Sequence, residues 1–223
     1  MPSPSPVSSR TLLGVALISG SLLMTELSLT RIFSVTMYYH FAFMAISIAL
    51  FGLSASGVYV FLTRDRWRDV PTDRLLAVHA VAFSLVTLLA LAVLVRMRIG
   101  LSYTPANITL MSVLYLLSAL PFFAGGAAVS IAISRLRADV NAVYAADLLG
   151  AGAGCLLLMP ALNILGAPGA IVASALLGGA AAIFFADSKA YRQRVIAGGA
   201  LLLAVAAAAG GPLFSVSLSL IHI

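Results

Sequence analysis

Apolar residues run in stretches of about 20 along most of the chain, separated by short polar clusters rather than by strict alternation. Runs of that length fit helices crossing a hydrocarbon layer of about 30 Å. Seven spans are expected, at roughly 11–31, 38–62, 75–95, 108–133, 142–162, 167–186 and 195–213. The fold class that follows is all-α: a polytopic integral membrane helical bundle of about seven transmembrane helices. Residues 1–10, MPSPSPVSSR, read as a disordered Pro/Ser-rich lead to a transmembrane domain at 11–213, with a tail at 214–223. The first apolar run reaches about Thr30, beyond a signal-peptide core, and no A-x-A site follows. An uncleaved first span is therefore expected. The segment Asn163–Gly169 reads as a short turn, with Pro168 starting the next helix.

Composition makes the membrane reading stronger. The chain is 62% hydrophobic and 9% charged, against about 25% charged in a soluble domain. The net charge of +6 is spread over clusters between apolar runs, which is how topology signals are distributed, so no nucleic-acid partner is expected. The N-terminus and the loops after spans 2, 4 and 6 carry ten basic residues: Arg10, Arg64, Arg66, Arg68, Arg74, Arg135, Arg137, Lys189, Arg192 and Arg194. The other side carries three, Arg31, Arg96 and Arg98. The positive-inside rule then puts the N-terminus in the cytoplasm. Loop 62–74, with the sole tryptophan Trp67, reads as an interfacial anchor or as a docking loop. The single cysteine, Cys155, is expected to be a packed thiol. Residues 46–66 and 115–137 are weakly alike, each passing through small residues into a basic loop.

The polar residues inside the apolar runs are the candidates for chemistry. Asp147 lies in VYAADLLGAGAGC (143–155), three and seven residues before Gly150 and Gly154, so on a helix the three share a face that Ala146 extends. Small residues at that spacing let another helix backbone approach closely. A carboxylate at mid-bilayer costs about 2.5–3.5 kcal/mol on insertion scales unless it meets protein or water. Glu26 precedes Arg31 by five residues, about 140° around a helix, so the two are not expected to pair along one face. Glu26, Arg31 and His40 are expected near one membrane face, and Asp147 enters from the other. Two readings of the acids stay open: hydrogen-bonded packing groups, or a relay for protons or cations.

No G-x-G-x-x-G at a strand-to-helix turn, P-loop, H-E-x-x-H or G-x-S-x-G occurs. The glycines at 150–154 lie inside a membrane helix, and no second histidine stands at ligand spacing from His40. No catalytic residue, no metal and no cofactor is expected in this chain.

Three segments, ISGSLLMTELSLTRIFSV (18–35), YYHFAFMAISIALFGLSASG (38–57) and VYAADLLGAGAGCLLLMPALNILGAPGA (143–170), resemble the membrane region of bacterial spermidine-synthase-like proteins. The acid-then-arginine pattern of the first span and Y-A-A-D-L-L-G carry most of it. The resemblance implies residence in the bacterial inner membrane and a soluble aminopropyltransferase-type domain that binds decarboxylated S-adenosylmethionine and a polyamine. That domain is not in this sequence, so no catalytic residue transfers. The last residues, SLSLIHI (217–223), resemble translated adapter read-through, and the natural protein is expected to be longer.

The leading functional expectation is therefore a membrane anchor for that domain, with binding or conduction of a cationic amine. The alternative is a fragment of a secondary transporter resembling the major facilitator type, whose inter-span motif is faintly echoed by Gly57 and Arg64-Asp65-Arg66. A third class is a structural subunit of a membrane assembly.

Overall fold

The computed structural model describes residues 7–36, 42–96 and 104–186. They form five long helices: α1 (Ser9–Thr36), α2 (Ala42–Thr63), α3 (Thr72–Arg96), α4 (Pro105–Arg135) and α5 (Val140–Phe185). A 3-10 turn, Arg137–Asp139, joins α4 to α5, and there is no strand among the described residues. All five helices are long and apolar enough to cross a membrane. Local chemistry sets some of the ends. The Thr104 hydroxyl accepts the Asn107 N–H at 3.3 Å, and Pro105 occupies the first turn of α4, where its missing N–H costs nothing.

The count of seven spans is not supported: the described residues hold five such helices, and the span expected at 195–213 lies outside them. The spans expected at 142–162 and 167–186 both fall within α5. A straight helix of 46 residues would reach about 69 Å, more than twice the hydrocarbon thickness. α5 is instead broken at Gly166, whose φ of 69° and ψ of 177° leave the helical region. Glycine adopts that conformation without the steric penalty a side chain would meet. The contacts on α1 show what the break does. Ala16 and Gly20 of α1 meet Gly150 and Gly154, in ascending order, so the first limb runs parallel to α1. Thr25 meets Ser174 and Gly14 meets Phe185, so the second limb runs back. α5 is thus a helical hairpin with both limbs on α1, and the α1–α5 interface is the largest in the bundle.

Without a hydrophobic drive between helices in lipid, shape complementarity has to hold the bundle together. Aromatic knobs fill glycine holes. Phe185 covers Gly14, and Phe83 of α3 lies against Gly125 of α4 and Gly178 of α5. Gly52 brings α2 against the Ala119 carbonyl and Phe122 of α4. The weakly alike stretches at 46–66 and 115–137 thus lie side by side, running the same way. Hydroxyls inside the helices mostly bond back to carbonyls one turn earlier, as Ser21 does to Leu17 (2.6 Å) and Thr87 to Phe83 (2.6 Å). Other hydroxyls tie helices together: those of Thr25 and Ser174 meet at 2.8 Å, and Ser84 donates to the Ala175 carbonyl at 2.8 Å.

Two contacts fix which ends lie together. The Val7 N–H donates to Asp139 Oδ2 at 2.7 Å, and Arg135 reaches the carbonyls of Val70 (2.7 Å) and Trp67 (2.5 Å). The start of α1, the α2–α3 loop and the α4–α5 turn therefore share one end of the bundle. These are the segments grouped by basic residues in the sequence.

Candidate functional site

The α1–α5 interface holds most of the polar and small residues singled out in the sequence. Its floor is glycine. A Cβ at Gly150 would collide with the backbone of Ala16, and one at Gly154 with the backbone of Gly20. From the other side, a Cβ at Gly20 would stand 2.7 Å from the Gly150 carbonyl oxygen. The small-residue face predicted from Gly150 and Gly154 is thus a backbone-to-backbone contact, and its partner is α1. Ala146 packs beside it, partly buried against the core.

Asp147 lies at the edge of this contact. The Ser19 hydroxyl donates to its Oδ1 at 2.5 Å, joining residues 128 apart in sequence. The carboxylate is half-buried and faces a helix, which lowers the cost of carrying an acid into an apolar segment.

Glu26 stands apart from this pair. It is seven residues beyond Ser19 on α1, so it lies on nearly the same face and about 10 Å further along the axis. Its carboxylate is half-buried and has no hydrogen bond or ion pair among the described residues; the backbone carbonyl of Glu26 accepts the Thr30 hydroxyl at 2.9 Å. Arg31 is exposed and does not pair with it. Arg64 forms an ion pair with Asp65, at 3.6 Å. His40 lies outside the described residues, so the expected cluster of Glu26, Arg31 and His40 is represented only by its first two members.

Cys155 corrects the sequence reading. It is exposed, next to the exposed Leu156 and Leu157 of α5. One residue after Gly154, it is turned about 100° from the contact line, which an apolar environment all round the helix concealed. No group of three His, Cys, Asp or Glu side chains able to hold a metal ion occurs among the described residues.

The α2–α3 loop is also more ordered than an anchor requires. The Trp67 ring meets Tyr59 at 5.2 Å and His79 at 5.6 Å between centroids. His79 in turn donates through Nδ1 to the Leu75 carbonyl at 2.8 Å. Arg135, read in the sequence only as a topology charge, is the staple that fixes this loop to α4. A lone arginine at the end of an apolar run gives no sign of carbonyl partners 65 and 68 residues away. No family model, curated protein or solved structure matches the chain.

Proposed function

We propose that this chain is the membrane-embedded N-terminal domain of a spermidine-synthase-like protein of the bacterial inner membrane, with its N-terminus in the cytoplasm. It holds an aminopropyltransferase-type domain at the bilayer and offers one intramembrane carboxylate, Glu26, to a cationic amine. Catalysis belongs to the attached domain. The observation that carries this reading is the unequal state of the two acids. Asp147 is engaged by Ser19 at the edge of a backbone contact, which suits a static anchor. Glu26 has no partner among the described residues, and a half-buried carboxylate without one favours a cation.

Spermidine binding to the purified chain in detergent tests the amine half. Wild type and Asp147→Asn are expected to bind, and Glu26→Gln to bind at least tenfold more weakly. Equal binding by wild type and Glu26→Gln would remove Glu26 from the reading. Net spermidine flux in proteoliposomes would favour the secondary-transporter alternative. Sequencing the source gene past this reading frame tests the anchor half, which requires an aminopropyltransferase-type domain downstream.

A further inference from the structure

The end of the bundle that gathers the start of α1 and the α2–α3 loop contains a cavity of about 250 Å³ between α2 and α4. Its wall includes Gly57, Phe61, Arg64, Trp67, Arg135 and Arg137. Three guanidinium groups around one opening are unusual in a chain in which only 9% of residues are charged. Their bonds leave most of their charge uncompensated. Arg135 donates to two backbone carbonyls and Arg137 Nε to a third, that of Ser134 at 2.9 Å. Carbonyls satisfy N–H groups but do not cancel a cation, and each guanidinium has five N–H donors. Only Arg64 meets a carboxylate, Asp65 at 3.6 Å, and both side chains are solvent-exposed, so that pairing is weak.

We infer that this cavity binds the phosphate of an anionic phospholipid headgroup. Arg135 is held rigid by the carbonyls of Val70 and Trp67, so its remaining donors are already oriented. Arg64 lies over the Phe61 ring, 5.5 Å from its centroid, on the lipid-facing side of α2. Phe61 and Leu62 are exposed apolar side chains at the same helix end, which places an acyl surface beside the basic opening. Trp67, at the loop edge, suits the headgroup level. Basic pockets between membrane helices take anionic headgroups for this reason, since the phosphate meets the arginines while the tails remain in the hydrocarbon. A free phosphate would gain the first contact and not the second, so the site is assigned to lipid. Gly57 lines the cavity and borders open space: a Cβ there meets no atom within 4 Å.

Trp67 is the only tryptophan, so its emission reports directly on the cavity. The purified chain in neutral detergent is titrated with phosphatidylglycerol, phosphatidylcholine or inorganic phosphate. Phosphatidylglycerol is expected to give a saturable change in emission that weakens with added salt, and the other two no change at the same concentrations. Arg64→Gln with Arg137→Gln should weaken the apparent affinity at least tenfold, and Gly57→Leu should abolish the response by filling the space. Arg135 is left intact because it also holds the loop. Equal responses to the two lipids, a response to inorganic phosphate alone, or wild-type titration by the doubly substituted chain would each overturn the assignment. Thermal unfolding of every variant is measured alongside. If Gly57→Leu fails to fold, the exposed arginine pair decides the question.

Discussion

Gly20 and Gly154 leave no room for a side chain on one another: a Cβ on Gly154 would run into the backbone of Gly20, and one on Gly20 into the backbone around Gly150. The contact couples two limits. The helices approach closely only because both surfaces are bare, and the approach brings Ser19 within reach of Asp147. Packing and polar satisfaction therefore depend on the same spacing.

Substitution of these glycines should thus cost stability in proportion to the collision. Gly154→Ala is expected to destabilise the bundle by about 1–3 kcal/mol, the usual penalty for forcing atoms into a filled interface. Gly150→Leu, larger and against Ala16, should prevent folding. Gly152 is the control: a Cβ there meets no atom within 4 Å, so Gly152→Ala should be neutral or stabilising through helix propensity. Thermal unfolding in detergent ranks the three. Equal losses at 152 and 154 would show that helix content, and not the contact, is being measured.

Asp147→Asn should be tolerated. The amide oxygen still accepts the Ser19 hydroxyl, and the charge that makes insertion costly is gone. Ser19→Ala in the wild-type background leaves a half-buried carboxylate without its donor and should destabilise more than it does beside Asp147→Asn. A double-mutant cycle measures the coupling, and interhelical bonds in membranes average about 0.6 kcal/mol and reach about 1.7. A coupling near zero would remove the Ser19–Asp147 bond from the account.

These predictions show where the sequence was informative. The spacing of Asp147, Gly150 and Gly154 exposes a contact face because helix periodicity is local, and small residues at four-residue intervals have few other uses in lipid. The partner helix is a different matter. Ala16 and Gly20 form the complementary four-residue step on α1, a signal available in principle, but alanine and glycine at that spacing also occur by chance in so apolar a chain. Hydroxyl partners are harder still. Ser19, Ser21 and Ser28 look alike in the sequence, and only the fold distinguishes the one that meets an acid. The hairpin in α5 was legible from Gly166, Pro168 and Gly169, because a break of that composition between two apolar runs has a local cause.

Topology gives a further prediction. With the start of α1, the α2–α3 loop and the α4–α5 turn at one end, the excess of basic residues there predicts that this end faces the cytoplasm. A membrane-impermeant thiol reagent added outside should label a cysteine placed at Asn107 and miss one at Asp69. Because Cys155 is exposed, the experiment requires a Cys155→Ser background. The reverse labelling pattern would invert the protein.

Arg135 should behave as a loop brace as well as a topology charge. Arg135→Gln loses at least one of the bonds to the Val70 and Trp67 carbonyls, and Arg135→Lys cannot span both, since its ammonium lacks the planar fork. Both variants should insert normally and expose Arg64–Arg68 to trypsin several times faster, with Trp67 emission shifted to the red. Unchanged cleavage would mean that the stack on Tyr59 and His79 holds the loop by itself.

The last prediction concerns two hydroxyls whose loss should not harm the protein. Ser28 on α1 and Ser118 on α4 are buried, and neither Oγ has a hydrogen-bond partner among the described residues. They lie at similar depth, because α1 and α4 run in opposite directions and Gly125 packs on Leu22, six and seven residues from Ser28 and Ser118. An unsatisfied buried hydroxyl costs about 1–3 kcal/mol relative to a satisfied one. Ser28→Ala and Ser118→Ala remove that cost at the expense of a single atom each, a void too small to offset it. Each variant should therefore keep or raise the unfolding temperature, and the two together should add. A fall of several degrees in either variant, with a double variant no worse than the singles, would instead reveal one shared water bridging the pair.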